Sequence, residues 1–576
     1  MADGRTDSGV WVGSMPGPLP SAFPRLGHKM EGVRKMGIRF GMGKSLAWAL
    51  LALISACGMA GAETLRVYLD FEAPILRPAG EAAVRVEAPG CMTLGDPGAP
   101  LLPAREAAVL LPPGETVTAV RVTATGTRAL PGTHRVAHAE TPRPISLPGP
   151  FPPTLPDARI YESDAAYPPE AAHLVTEQIA WGHGIAFFQV HPVAYEPQSG
   201  RISWHERVSL EITTAPREGL TASSPLPNLR TDERTRERLA ALVMNEALLA
   251  GYEGRAAAPV TDARLEPDYY PYVIVTAPEF AEVFGELALY ASGRGLRATV
   301  VTLDEIAAYP GDDQAMQLRN FVIDAYQNWA TEYVVLGGDY DIVPIRNLYV
   351  NAGGTVDEFP GDCYYEGLDG NWNNDGDDRW GEEGEYDLAG ELAVGRVSIS
   401  QASEFAPWFH KNRMYVEEPV VDEIQKALFL GERMDNHPTW GGDCMDELKD
   451  YCCTHGYCTS GYPESYLKQT LYDRDGTWSK WDAIALFNEG FPSSHHLGHS
   501  GTTYCMKMEN PDLQYFTNDG VDHSYVFISS QGCYDNNFDN GGTDAISEAF
   551  IFDEHGAAAF LGNTRYGWYN PGGTGR

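Results

Sequence analysis

A chain of 576 residues with 79 Asp and Glu against 42 Lys and Arg carries a net charge of −37 at pH 7, and so acidic a surface repels nucleic acid and anionic membranes. At this length it holds several domains, and an apolar content of 43% is enough to build their cores. Beyond the N-terminal leader no stretch is apolar enough to span a membrane.

Residues 1–62 read as a leader and signal peptide. Arg39 and Lys44 form a basic n-region before the apolar run Leu46 to Ala62, which is too short to span a bilayer and ends in small residues. Cleavage after Ala60-Gly61-Ala62 is expected; its rival is a lipobox, Ile54-Ser55-Ala56-Cys57, that would lipidate Cys57. Export to the outside or cell surface of a bacterium follows, into a compartment that permits disulfides. Cys444, Cys452, Cys453 and Cys458 crowd one short region, and at least one disulfide is expected there. Zinc is the rival, but these spacings form no paired CxxC clusters.

Residues 63–227 are rich in Pro, Val and Thr, with alternating runs such as RVYLDF and RVSLEITT; they predict an all-β module, read as a sandwich. Residues 228–267 read as a helical, charged linker. Its arginines, among them Arg234, Arg236, Arg238, Arg255 and Arg264, are candidate processing sites or simply solvated.

From Tyr269 strands and helices alternate regularly. The fold class is therefore α/β, a largely parallel sheet covered by helices on both faces, in two subdomains, 268–400 and 401–576. The sequence stops at Gly575-Arg576 without a capping element, so the natural protein is expected to continue.

An acidic loop interrupts the first subdomain. Asp369, Asn371, Asn373, Asp375 and Asp377 place oxygen-bearing side chains at every second residue, with glycines that permit tight curvature. That spacing suits a hard cation, and structural calcium is expected, although the distant Glu and flanking helices of an EF-hand are lacking. Nearby, Glu391 and Arg396 are expected to form a buried ion pair.

Two later strings carry the chemistry. LGHSG, around His499, and SSQGCYD, around Cys533, each follow a strand and open into small residues. A cysteine and a histidine at the carboxyl ends of α/β strands lie where such sheets place active sites, and they supply a thiol nucleophile and an imidazole acid/base.

Together with PYVIVTAPEFAEVF, LRNFVIDAYQNWATEYVVLGGDYDIVPIR, ELAVGRVSI and AAAFLGNTRYGW, these strings resemble the gingipain-like cysteine peptidases of the clan shared with caspases and legumain. The resemblance covers most of residues 268–576, and the β-rich front resembles the family's propeptide. It implies that Cys533 is the nucleophile, that His499 is the acid/base, and that the backbone N–H groups of Ser500 and Cys533 hold the oxyanion. It also implies that Glu432 approaches the histidine, that Asp443 lies at the bottom of the primary pocket, and that Trp568 walls that pocket. One departure stands out. The family writes Gly-His-Gly where this chain has Gly498-His499-Ser500, and a serine is strained if that position needs positive φ. His495 and His496 lack the glycine-flanked position and are expected to be structural.

The expected function is a secreted cysteine endopeptidase made as a zymogen. It would act on proteins or peptides, bind its own prodomain and cleave after Arg or Lys. The alternatives are a transpeptidase acting on exported cargo and an inactive calcium-binding scaffold.

Overall fold

The computed structural model describes residues 63–79, 82–147, 151–221, 223–260, 264–352, 355–436, 439–452 and 458–571. The leader, Cys57 and Cys453 lie outside these residues.

The N-terminal module is a β-sandwich. Its first sheet is antiparallel, Arg207–Pro216 lying between Glu63–Asp70 and Glu115–Thr125. The second runs Met92–Leu94, Leu102–Leu110, His183–Val190, Ala172–Ala180, also antiparallel. In Arg207–Pro216 buried and half-exposed residues alternate, as the two-residue period of a strand with one dry face requires. Leu69, Leu210 and Ile212 of one sheet meet Val109, Ala186 and Phe188 of the other in a single core.

The segment after the sandwich packs down onto it. Asp232 caps the helix Glu233–Leu242 by accepting from the Thr235 N–H at 3.0 Å. Leu239, Leu249 and Tyr252 join Leu110 and Ile185 in one apolar cluster. The Asn245 side chain both accepts from Leu110 N (2.8 Å) and donates to Leu110 O (2.9 Å), as a neighbouring strand would.

Two parallel sheets follow. The first is ordered Ala298–Thr302, Tyr272–Thr276, Tyr333–Gly337, Ala393–Val397. Alternate residues of one strand serve opposite layers. Ile274 packs with Phe284 of the helix Ala281–Gly293, while Val273 and Val275 pack with Leu318 and Phe321 of the helix Gln314–Asn328. The second sheet is ordered Leu467–Tyr472, Lys426–Gly431, Ser493–Leu497, Val526–Ser530, Ala557–Leu561. Its edge strand, Leu467–Tyr472, is absent from the sequence-predicted series.

One predicted pair does not form. Arg396 pairs instead with Asp362 at 2.7 Å, and the Glu391 carboxylate accepts the N–H groups of Leu368 (2.7 Å) and Trp181 (3.1 Å). The strand direction decides this: Arg396 also donates to the carbonyls of Gly338 and Val343, on the side of the sheet where Asp362 lies. In the cysteine-rich region Cys458 is disulfide-bonded. Among the described residues no helix is long and apolar enough to cross a membrane.

Candidate active site

Ser493–Leu497 and Val526–Ser530 are adjacent and parallel, with His496 opposite Ser530. The chain leaves the first through Gly498 to His499 and the second through Gln531-Gly532 to Cys533, so both side chains start from the same carboxyl edge, on strands ~4.8 Å apart. Neither glycine has room for a Cβ beside its present neighbours. A Cβ on Gly498 would lie 2.4 Å from His496 Nε2, and one on Gly532 would lie 1.5 Å from Ser500 Oγ. The turn after the sulfur is tight: Tyr534 has φ 58°, a conformation that costs a non-glycine residue of order 1 kcal/mol or more. Its N–H donates to Arg565 O at 2.7 Å and its hydroxyl to Asp357 at 2.9 Å, which hold the residue there.

Cys533 is fully buried. Its Sγ accepts the Ser146 N–H at 3.2 Å, and the thiol faces Gly567 O at 3.6 Å. Burial raises the thiol's pKa, partly offset by the Ser146 N–H. The thiol is therefore held protonated and covered in this form.

His499 is half-buried, and its Nε2 lies 3.0 Å from Arg433 O. A carbonyl only accepts, so Nε2 carries the proton, and Nδ1 is the ring atom left for proton exchange. The group that orients the ring is thus the Arg433 carbonyl. Glu432, expected in that role, is turned elsewhere: one carboxylate oxygen lies 3.3 Å from His496 Nε2 and the other accepts the backbone N–H of His499 at 3.4 Å. Its influence on His499 runs through the main chain. His496 is itself fully buried, bonded through Nδ1 to Ser530 Oγ at 2.9 Å. His495 stacks on Phe429 and bonds Tyr462 at 2.7 Å, and burial lowers its pKa to about 4.

Ser500 lies outside the left-handed region, so the serine carries no backbone strain. Its hydroxyl donates to the buried carboxylate of Asp535 at 3.3 Å. Its N–H, the expected oxyanion donor, donates to Ser146 Oγ at 3.1 Å.

The N-terminal module reaches this cleft. Arg143–Pro144 pairs antiparallel with Trp568–Tyr569, and Ile145 N–H donates to Gly567 O at 2.8 Å. Trp568 is half-buried and faces Pro144 in this ladder. Sequence reasoning missed the segment because a Pro-rich stretch shows no strand period.

Asp443 sits in the first turn of Gly441–Lys449, where the Arg474 guanidinium bonds it and Asp446 together. It already has a cationic partner, shared with Asp446.

The acidic loop divides. Asp369 turns inward, accepts from Asn228 at 2.7 Å and faces Asp387 and Glu391; burial and then the Asp387 charge push its pKa up to about 6, against the lowering effect of its hydrogen bonds with Glu391 and Asn228. Asn371 and Asn373 spend their amides on loop carbonyls, Asn373 O and Asp377 O. Asp375 and Asp377 stay exposed, with carboxylate oxygens within 4.8 Å of each other and of one on Glu382.

The sequence model of peptidase family C25 matches residues 266–575, more than half of the chain. The chain belongs to peptidase family C25. Solved structures similar to this C25 chain include the complex of Porphyromonas gingivalis RgpB pro- and mature domains, at 16% identity over 51% of this chain and 64% of that one, TM-score 0.38. The Arg-specific cysteine proteinase gingipain R (RgpB) matches at 16% identity over 55% and 66%, TM-score 0.40. A structure bearing on the zymogenic latency of gingipain K from Porphyromonas gingivalis matches at 18% over 27% and 88%, TM-score 0.24. The C25 chain spans slightly less than two thirds of the RgpB structures. No curated protein matches it.

Proposed function

We propose that this C25 chain is an exported cysteine endopeptidase held latent by its own N-terminal module. One observation carries the proposal: residues 143–146 lie in the cleft as a peptide substrate would. They add a strand to Trp568–Tyr569, Ile145 N–H donates to Gly567 O, and the next peptide N–H, that of Ser146, meets the sulfur of Cys533.

With that segment withdrawn, the chemistry follows from the groups present. The Cys533 sulfur attacks the substrate carbonyl as its proton passes to Nδ1 of His499. A C–S bond forms, and the carbonyl oxygen takes the negative charge opposite the Ser500 and Cys533 N–H groups. As the C–N bond breaks, the imidazolium gives its proton to the leaving amine. Water then attacks the thioester, His499 takes its proton, and thiol and carboxylic acid are released. The unstrained backbone at Ser500 supports this over an inactive scaffold.

In the latent form Ser146 Oγ rather than a substrate carbonyl faces the Ser500 N–H, so that N–H polarises no scissile bond. Cleavage after Arg255 or Arg264, at the end of the packed segment, would loosen the module. Basic specificity draws no support from Asp443, whose partner is Arg474. Calcium, if bound, fits Asp375, Asp377 and Glu382, an all-oxygen set suited to a hard cation, and its role would be to fix the loop.

The test is peptide cleavage by the purified full chain before and after limited proteolysis, with Cys533→Ala as control. Cleavage that rises on proteolysis and is absent in Cys533→Ala is expected. Equal activity of the two chains would sink the proposal.

A further inference from the structure

We infer that the primary specificity pocket of this chain takes an aliphatic residue, and that Ile145 of its own N-terminal module occupies it. The inference rests on the peptidase function proposed above and names its substrate class.

The register fixes which side chain matters. The N–H beside the sulfur belongs to Ser146, so the peptide bond against Cys533 is Ile145–Ser146, and Ile145 is the residue before the bond that would be cut. Its own N–H is anchored on Gly567 O at 2.8 Å. That side chain is 2% exposed and belongs to one apolar cluster with Met434, Cys444, Met445, Leu497 and Tyr569 around Cys533.

The carboxylates beside this cluster already have partners. Asp443 bonds the Arg474 guanidinium. Asp435, the other carboxylate at hand, accepts the Thr439 N–H (3.2 Å) and hydroxyl (3.1 Å) and the Tyr569 hydroxyl (3.3 Å). A guanidinium buried there would lose its water and have to compete for carboxylates that are already hydrogen-bonded, whereas a branched alkyl group gains burial. Arg143, two residues before Ile145, is half-buried and outside this cluster: its guanidinium lies 5.3 Å from the Phe151 ring and approaches the Tyr569 hydroxyl. A pocket that discriminates by apolar fit separates neighbouring alkyl sizes by roughly 10–200-fold, and a pocket without a free carboxylate rejects a cation at least as strongly.

The full chain carrying Ile145→Gly, which removes the pocket's occupant and leaves Cys533 and His499 in place, is activated by limited proteolysis and given a peptide library, and the cut sites are read by mass spectrometry. Ile145→Ala serves if the glycine variant folds poorly. Cleavage after Ile, Val or Leu, at least about 50-fold faster than after Arg or Lys, is expected. The same variant is melted with peptide aldehydes ending in isoleucinal or argininal, which report occupancy without turnover; only the first should raise Tm, and only while Cys533 is present. Cleavage after Arg or Lys, or stabilisation by argininal, overturns the pocket inference and leaves the peptidase standing. Stabilisation by isoleucinal without any cleavage upholds the pocket and overturns the peptidase. Neither cleavage nor stabilisation overturns both.

Discussion

The backbone N–H of Ser146 and the sulfur of Cys533 meet at 3.2 Å across 387 residues of sequence. One serine thereby touches both the proposed nucleophile and the proposed oxyanion donor, since its hydroxyl also accepts the Ser500 N–H. An N-terminal module placed so is no neutral neighbour: it covers the Cys533 sulfur and occupies the Ser500 N–H.

Ser146→Ala should therefore weaken latency without harming the fold. The substitution removes the hydroxyl from the oxyanion donor and leaves the Ile145 carbonyl free to move toward it. Self-cleavage of the peptide bond that follows Ile145, tracked by intact mass over hours, is expected to rise about tenfold, the effect of roughly 1.4 kcal/mol on a barrier. An unchanged half-life of the intact chain would show that Ser146 Oγ does not restrain the bond.

The pH dependence of the module's attachment should follow the buried acids at its base. Asp369 accepts from Asn228 and lies against Asp387 and Glu391, while the Arg319 guanidinium is turned to the carbonyls of Tyr364, Gly367 and Gly370. Burial raises all three carboxyl groups, Asp369 to about 6. A raised pKa means that the folded form binds the proton more tightly than the unfolded one. The stability this contributes is full below the unfolded value near 4 and is lost as pH rises through about 6. Thermal melts from pH 4.5 to 7.5 should show Tm falling across this window, and Asp369→Asn should flatten the fall and raise Tm at pH 7.5 by a few degrees. A fall as steep in Asp369→Asn as in the parent would assign the effect to other groups.

Calcium should act on the exposed half of the acidic loop alone. If Asp375, Asp377 and Glu382 hold the ion, millimolar calcium should raise Tm, and at a hundredfold excess over Kd the gain is about 2.7 kcal/mol. Asp375→Asn with Asp377→Asn should abolish the shift, whereas Asp369→Asn should leave it intact. Titration calorimetry gives the stoichiometry; a shift that survives the double substitution would place the ion elsewhere.

How much of this was legible in the sequence depended on the range of the contact. The continuous apolar runs that became Lys426–Gly431 and Val526–Ser530 announce buried parallel strands, and the glycines beside His499 and Cys533 mark their open ends. The edge strand Leu467–Tyr472, LKQTLY, is half polar because one side faces solvent, so it carried no such signal. The Arg433 carbonyl that orients His499 was invisible, since every residue owns a carbonyl and only geometry selects one. Ile145 sat unnoticed in a Pro-rich stretch, because a strand two residues long has no period to detect. Leu239, Leu249 and Tyr252 were a missed clue: apolar residues recurring through a charged segment mark a face that packs, and here it packs on the sandwich.

Ser500 and Gly532 should behave as one unit. A Cβ on Gly532 would fall 1.5 Å from Ser500 Oγ and 2.6 Å from Ser500 Cβ, far inside contact distance, while the nearest atom of another residue, Asp535 Oδ2, would be 2.8 Å away. Gly532→Ala alone should displace Ser500, and with it the N–H that serves the oxyanion, costing on the order of a hundredfold in kcat with little change in KM. Ser500→Gly alone removes the hydroxyl's bond to Asp535 but keeps the N–H, so its loss should stay within about tenfold. Combined, the two substitutions should recover most of the activity that Gly532→Ala removes, because the clashing atom is gone. The double-mutant cycle, run on the proteolytically activated chain, then yields a coupling of about 1 kcal/mol or more. Strict additivity would mean that the alanine acts through Asp535 or the Tyr534 turn, and that the serine beside His499 is not what requires a glycine before Cys533.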